Sequence, residues 1–384
     1  MKLGLDVSSC YHPRSGVGNY CYQLTKVLLN NDVNNQYVLY PLFYTHFMNK
    51  VGMPVFEKTA NSITAFRNRQ RIYSLQNLLW SPLSPAFVKE NQLGDVDVVH
   101  SMTFAAPKFR DSKKKLVATI YDLTFITHPQ CHQKRNIQVC LQGTKNAIKN
   151  ADAIIAISNH TKDDLMEYLN APEELITVTH LAAGDDYVPI DNVSELARIK
   201  HKYHLPDKYI LFIGSLEPRK NIKTLVEAFA RLPLRLRDEF PLVIAGGKGW
   251  MNRDIQKVVL QLGLGPKIFF AGFIDSADIS AVYSGATVFA YPSLYEGFGL
   301  PILESMSCGT PVISSNTSSM PEVAGDAALL VDPTNVEELS SGLQLLLENE
   351  SLRCEMINKG LARATLFSWE KCAQETLNVY HQVL

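Results

Sequence analysis

Residues 291–323 read YPSLYEGFGLPILESMSCGTPVISSNTSSMPEV. An apolar run closes near Tyr291, and Pro292 and Ser293 begin a loop that holds Glu296. Pro301 suits the first turn of a helix, where a missing N–H costs little. Gly309 would end that helix, and a β-branched strand follows at 311–314. Glu304 is expected about two turns into the helix. Phe298, Gly299 and Leu300 fall at the loop–helix junction, where unpaired amides are expected. Such a segment can hold hydroxyls with one carboxylate and a second sugar with the other. Two glutamates eight apart are common in isolation. Set among these glycines and prolines, the spacing is specific.

The alternation of strand, loop, helix and strand continues in both directions. Short apolar runs lie at 2–7, 36–43, 96–101, 115–121, 152–157 and 175–180, then at 208–214, 241–246, 267–271, 286–290, 311–314 and 328–331. Amphipathic stretches at 17–30, 133–149, 221–232 and 335–348 separate several of them. This pattern predicts an α/β protein with parallel, doubly wound sheets. A chain of 384 residues exceeds one ordinary core and suits two. The polar stretch AAGDDYVPIDNVSE is the best break, giving a domain at 1–182, a linker at 183–206 and a domain at 207–365. In the closing segment 366–384, Phe367, Trp369, Cys372, Thr376, Val379 and Tyr380 share one face of a helix, which is expected to cross back to the first domain.

With 46% hydrophobic and 20% charged residues and a net charge of −1, the chain reads as an ordinary globular protein without a nucleic-acid footprint. Residues 1–180 nevertheless carry 19 basic and 14 acidic side chains. The excess lies at Arg67, Arg69 and Arg71 and in the run Lys108, Arg110, Lys113, Lys114 and Lys115, either a solvated face or a surface for anionic lipid. Seven scattered cysteines without a Cys-x-x-Cys pair fit a reduced, cytoplasmic chain.

Two further loops carry candidate chemistry. After the first strand, Gly16 and Gly18 precede a helix and leave its N-terminal amides open to a phosphate; the alternative is a plain glycine turn. A dinucleotide fingerprint would need a third glycine where Cys21 stands and an acidic end to the second strand, so NAD binding is not expected. In LFIGSLEPRKNIKTLVEAF a strand ends, Gly214 and Ser215 turn, and Arg219 and Lys220 sit just before a helix. Cations at a helix N-terminus oppose its dipole unless an anion neutralises them. A planar fork beside a mobile point charge suits a diphosphate.

With EPRKN, YPSLYEGFGLPILESMSCGTPVI, PEVAGDAALLVDP and the closing SWEKCA in view, the chain resembles glycosyltransferase family 4 over nearly its whole length. The resemblance implies the GT-B fold, two Rossmann-like domains facing a central cleft. It implies a retaining transferase that moves a hexose from a nucleotide sugar to a glycan or lipid-linked acceptor without a metal or other cofactor. Closeness of TIYDLTF and GVGNY to bacterial mannosyltransferases favours GDP-mannose. By resemblance Glu296 faces the donor sugar, Glu304 binds the ribose, and Arg219 and Lys220 hold the diphosphate. Phe298, Gly299 and Leu300, with Gly214 and Ser215, would line that site. Gly16 and Gly18 would close on it, and Gly272 and Phe273 would flank the nucleobase. Where many relatives carry histidine then aspartate, this chain has Tyr121 and Asp122. Tyr121 is a poor base at neutral pH, which leaves His100, His128 and His132 as nearby substitutes. Asp95 and Asp97 spell the Asp-x-Asp of metal-dependent GT-A enzymes but lack that context. A nucleotide-sugar epimerase and a non-catalytic nucleotide-sugar binder are the alternatives.

Overall fold

The computed structural model describes residues 1–10, 16–40, 56, 62–64, 95–103, 113–247 and 252–384. The chain divides into two compact units, residues 1–181 with 369–384, and residues 182–368.

In the first unit the described strands are β1 (Lys2–Asp6), β2 (Gln36–Tyr40), β3 (Ser62–Thr64), β4 (Val98–Ser101), β5 (Lys115–Ile120), β6 (Ala153–Ala156) and β7 (Ile176–Val178). They form one parallel sheet in the order β3-β2-β1-β4-β5-β6-β7. Near-continuous burial along β1, β4, β5 and β6 explains why these runs lack polar alternation: helices cover both faces. The strand order reverses between β1 and β4, so the loops after those strands open onto the same edge. Helix α1 (Gly16–Asn31) leaves that edge beside β1. The C-terminal helix Trp369–Gln382 packs on α1, burying Trp369, Cys372, Ala373, Thr376, Val379 and Tyr380. Phe367 lies before this helix, in the second unit.

The second unit holds β8 (Ile210–Ile213), β9 (Leu242–Ala245), β10 (Ile268–Gly272), β11 (Val288–Tyr291), β12 (Val312–Ser315) and β13 (Ala328–Val331), all parallel, in the order β10-β9-β8-β11-β12-β13. Here the reversal lies between β8 and β11. The chain returns to the sheet centre after building one side, so the loops after β8 and β11 become neighbours although some 76 residues separate them. That is where an open α/β sheet offers a crevice.

Residues 183–206, expected as a linker, belong to the second unit and carry helix Val193–Tyr203. Its polarity reflects ion pairing rather than a free tether. Lys202 Nζ reaches Asp275 at 2.8 Å and Asp278 at 2.5 Å, and the Tyr203 hydroxyl donates to Asp278 at 2.8 Å. Asp185 and Asp186 lie in an exposed turn. Among the described residues no helix is long and apolar enough to cross a membrane.

Candidate active site

The β11 loop is fastened from behind by the serines of the next strand and turn. Ser314 donates to the Tyr291 carbonyl at 2.9 Å and Ser315 to that of Ser293 at 2.6 Å. Ser319 donates to the carbonyls of Glu296 and Phe298 at 2.9 and 2.7 Å, and the Glu296 amide donates to Ser318 at 3.1 Å. On the other side, the Leu294 amide donates to the Arg219 carbonyl at 2.9 Å. Asn221, held at φ 57°, sends its amide nitrogen to Pro292 and Pro333. The two loops are thereby clamped together, and Glu296 is 7% exposed in spite of its charge.

Its charge is met by the residues after β8. Lys220 Nζ lies 2.7 Å from Glu296 Oε1, and Arg219 pairs with Oε2 while also donating to the Tyr295 carbonyl at 2.9 Å. The Tyr291 hydroxyl donates to Glu296 Oε1 at 2.9 Å and accepts from Lys220. Burial alone would raise the Glu296 pKa, but the cations of Arg219 and Lys220 outweigh it and hold the carboxyl down at about 2. For Lys220, burial lowers the pKa below the usual lysine range and the Glu296 charge opposes that shift. Gly214 lies beneath this group: a Cβ there would sit 3.8 Å from Lys220 Cε. Ser215 donates to Glu217 at 2.8 Å.

Helix Leu300–Ser307 begins at Gly299, whose φ of 112° favours glycine, and no side chain caps its amides. An uncapped N-terminus of this kind is suited to an anion. Phe298 is buried, with its ring 5.9 Å from Phe367. Glu304 sits one turn into the helix rather than two, because the loop extends to Gly299. Its carboxylate accepts from the Tyr283 hydroxyl at 2.9 Å, outside the direct Arg219–Lys220–Glu296 network. Burial raises the Glu304 pKa, and hydrogen bonds from Tyr283 and Tyr187 oppose the rise. Gly272 ends β10 at φ 71°, and Phe273 beyond it is exposed.

The remaining expected site residues lie in the first unit. Gly16 is the first residue of α1, with open space around it, and Gly18 is buried. Asp122 Oδ1 accepts from the amide and hydroxyl of Thr124 at 3.0 and 2.6 Å, a local contact two residues along the chain. Tyr121 donates to the Met102 carbonyl at 2.8 Å and is only 4% exposed. His100 is buried between Tyr380 and Thr119, His132 meets the Thr124 hydroxyl at 2.9 Å, and His128 meets that of Thr127. Asp97 accepts from the Lys2 amide at 2.7 Å, a contact that positions β1.

Several site-forming residues escaped the motif reading: Tyr291, Ser318, Ser319, Tyr283, Tyr187 and Gly246. Only Gly246 carried a local signal, the Gly246-Gly247 pair directly after a strand. Its φ is 136°, and a Cβ there would come within 1.9 Å of the Gly214 carbonyl oxygen.

A Rossmann-like unit with a cation pair, a buried carboxylate and an uncapped helix at its switch point suits a phosphate-bearing ligand. Residues 14–182 match Glycosyltransferase Family 4, and residues 193–363 match Glycosyl transferases group 1. The chain is 31% identical to the O-antigen chain mannosyltransferase B of Escherichia coli over 384 residues, covering 99% of both proteins. In structure it resembles sucrose-phosphate synthase from Thermosynechococcus elongatus, with a TM-score of 0.72 and 21% identity, covering 100% of this chain and 99% of that one. It also resembles Anabaena HepE in complex with UDP-glucose, with a TM-score of 0.71 and 17% identity over 99% of each chain. The chain belongs to glycosyltransferase family 4, and it is a sugar-transferring enzyme with the GT-B fold.

Proposed function

We propose that this enzyme transfers mannose from GDP-mannose, with retention of configuration, to a hydroxyl of a glycan or lipid-linked acceptor. The observation that carries the reading is the Arg219–Lys220–Glu296 constellation at the β8–β11 switch point. The full-length similarity to a mannosyltransferase supports the sugar. The likeness to a fold seen with a nucleotide sugar supports the donor class.

In this reading Arg219 and Lys220, with the amides at Gly299 and Leu300, stabilise the leaving diphosphate. Glu296 orients donor hydroxyls, Glu304 takes the ribose, and Phe273 lies against the base. The acceptor attacks from the face the diphosphate leaves, and a departing phosphate oxygen takes its proton. The protein's share is orientation and charge stabilisation, which needs neither a side-chain base nor a metal. Tyr121 then matters little as a base, which suits a hydroxyl already engaged by Met102.

Calorimetric titration of GDP, UDP and their sugars in EDTA, followed by transfer assays, tests this. GDP-mannose is expected to bind, and to be turned over without added metal. Preference for a UDP-sugar would overturn the donor assignment, and binding without turnover would favour a non-catalytic member.

A further inference from the structure

Two cations side by side in a partly dry site repel each other unless an anion meets them. Here one does. Arg219 and Lys220 each engage one oxygen of Glu296, and Tyr291 adds a third hydrogen bond to the same carboxylate. A carboxylate and a phosphate offer these donors the same kind of acceptor. Lys220 and Glu296 are both 7% exposed, so the pairing excludes most water.

We propose that Glu296 is an internal competitor for the diphosphate: without ligand its carboxylate occupies the cation pair, and an incoming diphosphate displaces it. The proposal rests on the assignment of Arg219 and Lys220 to the diphosphate and extends it. Displacement turns the Glu296 oxygens free at the moment the phosphates arrive, which makes them available to donor hydroxyls only when a donor is bound. After transfer the returning carboxylate helps expel the product nucleotide. The competitor remains an anion through the neutral range, so the exchange swaps one anion for another and requires no proton uptake.

Titration of inorganic pyrophosphate into the full chain tests the exchange. Where the binding-competent arrangement is a minor state of about 0.1–10% of the population, apparent affinity falls by its inverse, roughly 10–1,000-fold. Glu296→Gln should bind pyrophosphate tighter than wild type by a factor in that range. Because this variant takes the paired carboxylate from buried Lys220 and leaves Arg219 the more distant Glu217, its melting temperature should fall and then recover with pyrophosphate. Tyr291→Phe, which keeps the ring and loosens the hold on both Glu296 and Lys220, should shift affinity in the same direction by less. Unchanged or weaker pyrophosphate binding in folded Glu296→Gln overturns the exchange. Should that variant fail to fold, the same result in Tyr291→Phe overturns it. Arg219→Ala separates the two readings: it should lose pyrophosphate, and wild-type affinity there would sink the diphosphate assignment and the exchange together.

Discussion

At Lys220 the ammonium is held between a carboxylate and a phenol, away from water. Removing it, or the Arg219 fork, deprives a departing diphosphate of a preorganised charge. Loss of one such donor costs about 10²–10³ in rate. Arg219→Ala and Lys220→Ala should lower kcat by that much; folded variants with near wild-type turnover would remove both residues from the mechanism. The two glutamates should separate in a different assay. Glu304→Ala should weaken bare GDP roughly 10- to 100-fold, the worth of hydrogen bonds to a charged acceptor. Glu296→Gln should bind bare GDP at least as tightly as wild type and lose sugar transfer. If calorimetry finds Glu304→Ala unchanged with GDP, the ribose assignment fails.

The ends of β8, β9 and β10 pass close to one another at glycines. The Gly214 amide donates to the Ala245 carbonyl at 3.0 Å, and the Gly246 amide to that of Gly272 at 2.7 Å. At Gly246 both the positive φ and the approach of the Gly214 carbonyl exclude a side chain. Gly246→Ala is therefore expected to destabilise the second unit by about 3 kcal/mol or more. Gly247→Ala, with open space around its Cβ, should be nearly neutral. Equal unfolding midpoints for the two variants in denaturant would contradict this account of the strand ends.

Across the whole chain, His100 links sheet to chain end, its ring between Thr119 of β5 and Tyr380 of the C-terminal helix. Burial drives its pKa down to about 3. The folded state therefore refuses a proton that the unfolded state accepts below about pH 6.5. Its contribution is present above that pH and is lost as pH falls toward 3. Between pH 7.5 and 5.5 the loss amounts to about 1.4 kcal/mol. His100→Gln should show a stability curve flatter by that amount; an identical slope would mean that the ring takes up a proton in the fold. The basic excess of residues 50–149, 15 Lys and Arg against 6 Asp and Glu, belongs to the same scale. Arg67, Arg69, Arg71, Lys108 and Arg110 lie outside the described residues. Lys115 pairs with Asp152 at 3.0 Å. Attraction of about 1 kcal/mol per basic residue predicts sedimentation with anionic liposomes. That binding should weaken with salt and on changing Lys113, Lys114 and Lys115 to Gln. Equal binding to neutral liposomes, or none to either, would leave an ordinary solvated face.

Twelve of the described strands were legible as apolar runs, most of them because both faces of a parallel sheet are dry and burial is written locally into each run, while β7, β10 and β13 are only partly buried. The short β3 (Ser62–Thr64) was not, since three residues carry no periodicity. The helix at 193–203 was hidden by its own salt bridges, whose Asp275 and Asp278 partners lie some 70 to 80 residues away. The same limit holds for the site. Glycines, prolines and charges mark which loops hold chemistry, because backbone geometry and helix ends impose local demands on residue type. Which charge meets which is decided elsewhere. Lys220 finds Glu296 because the sheet order sets β11 beside β8, and Ser318 and Ser319 reach back to hold that carboxylate's backbone. His100 stood as a substitute base until packing fixed its partners, Tyr380 and Thr119, in the core, where Met102 likewise holds Tyr121. The sequence by itself determined most of the elements and the residue types at their ends, since these follow from neighbours along the chain. The tertiary structure alone decided the pairings, since a hydrogen bond depends on distance in space and the chain order does not encode it.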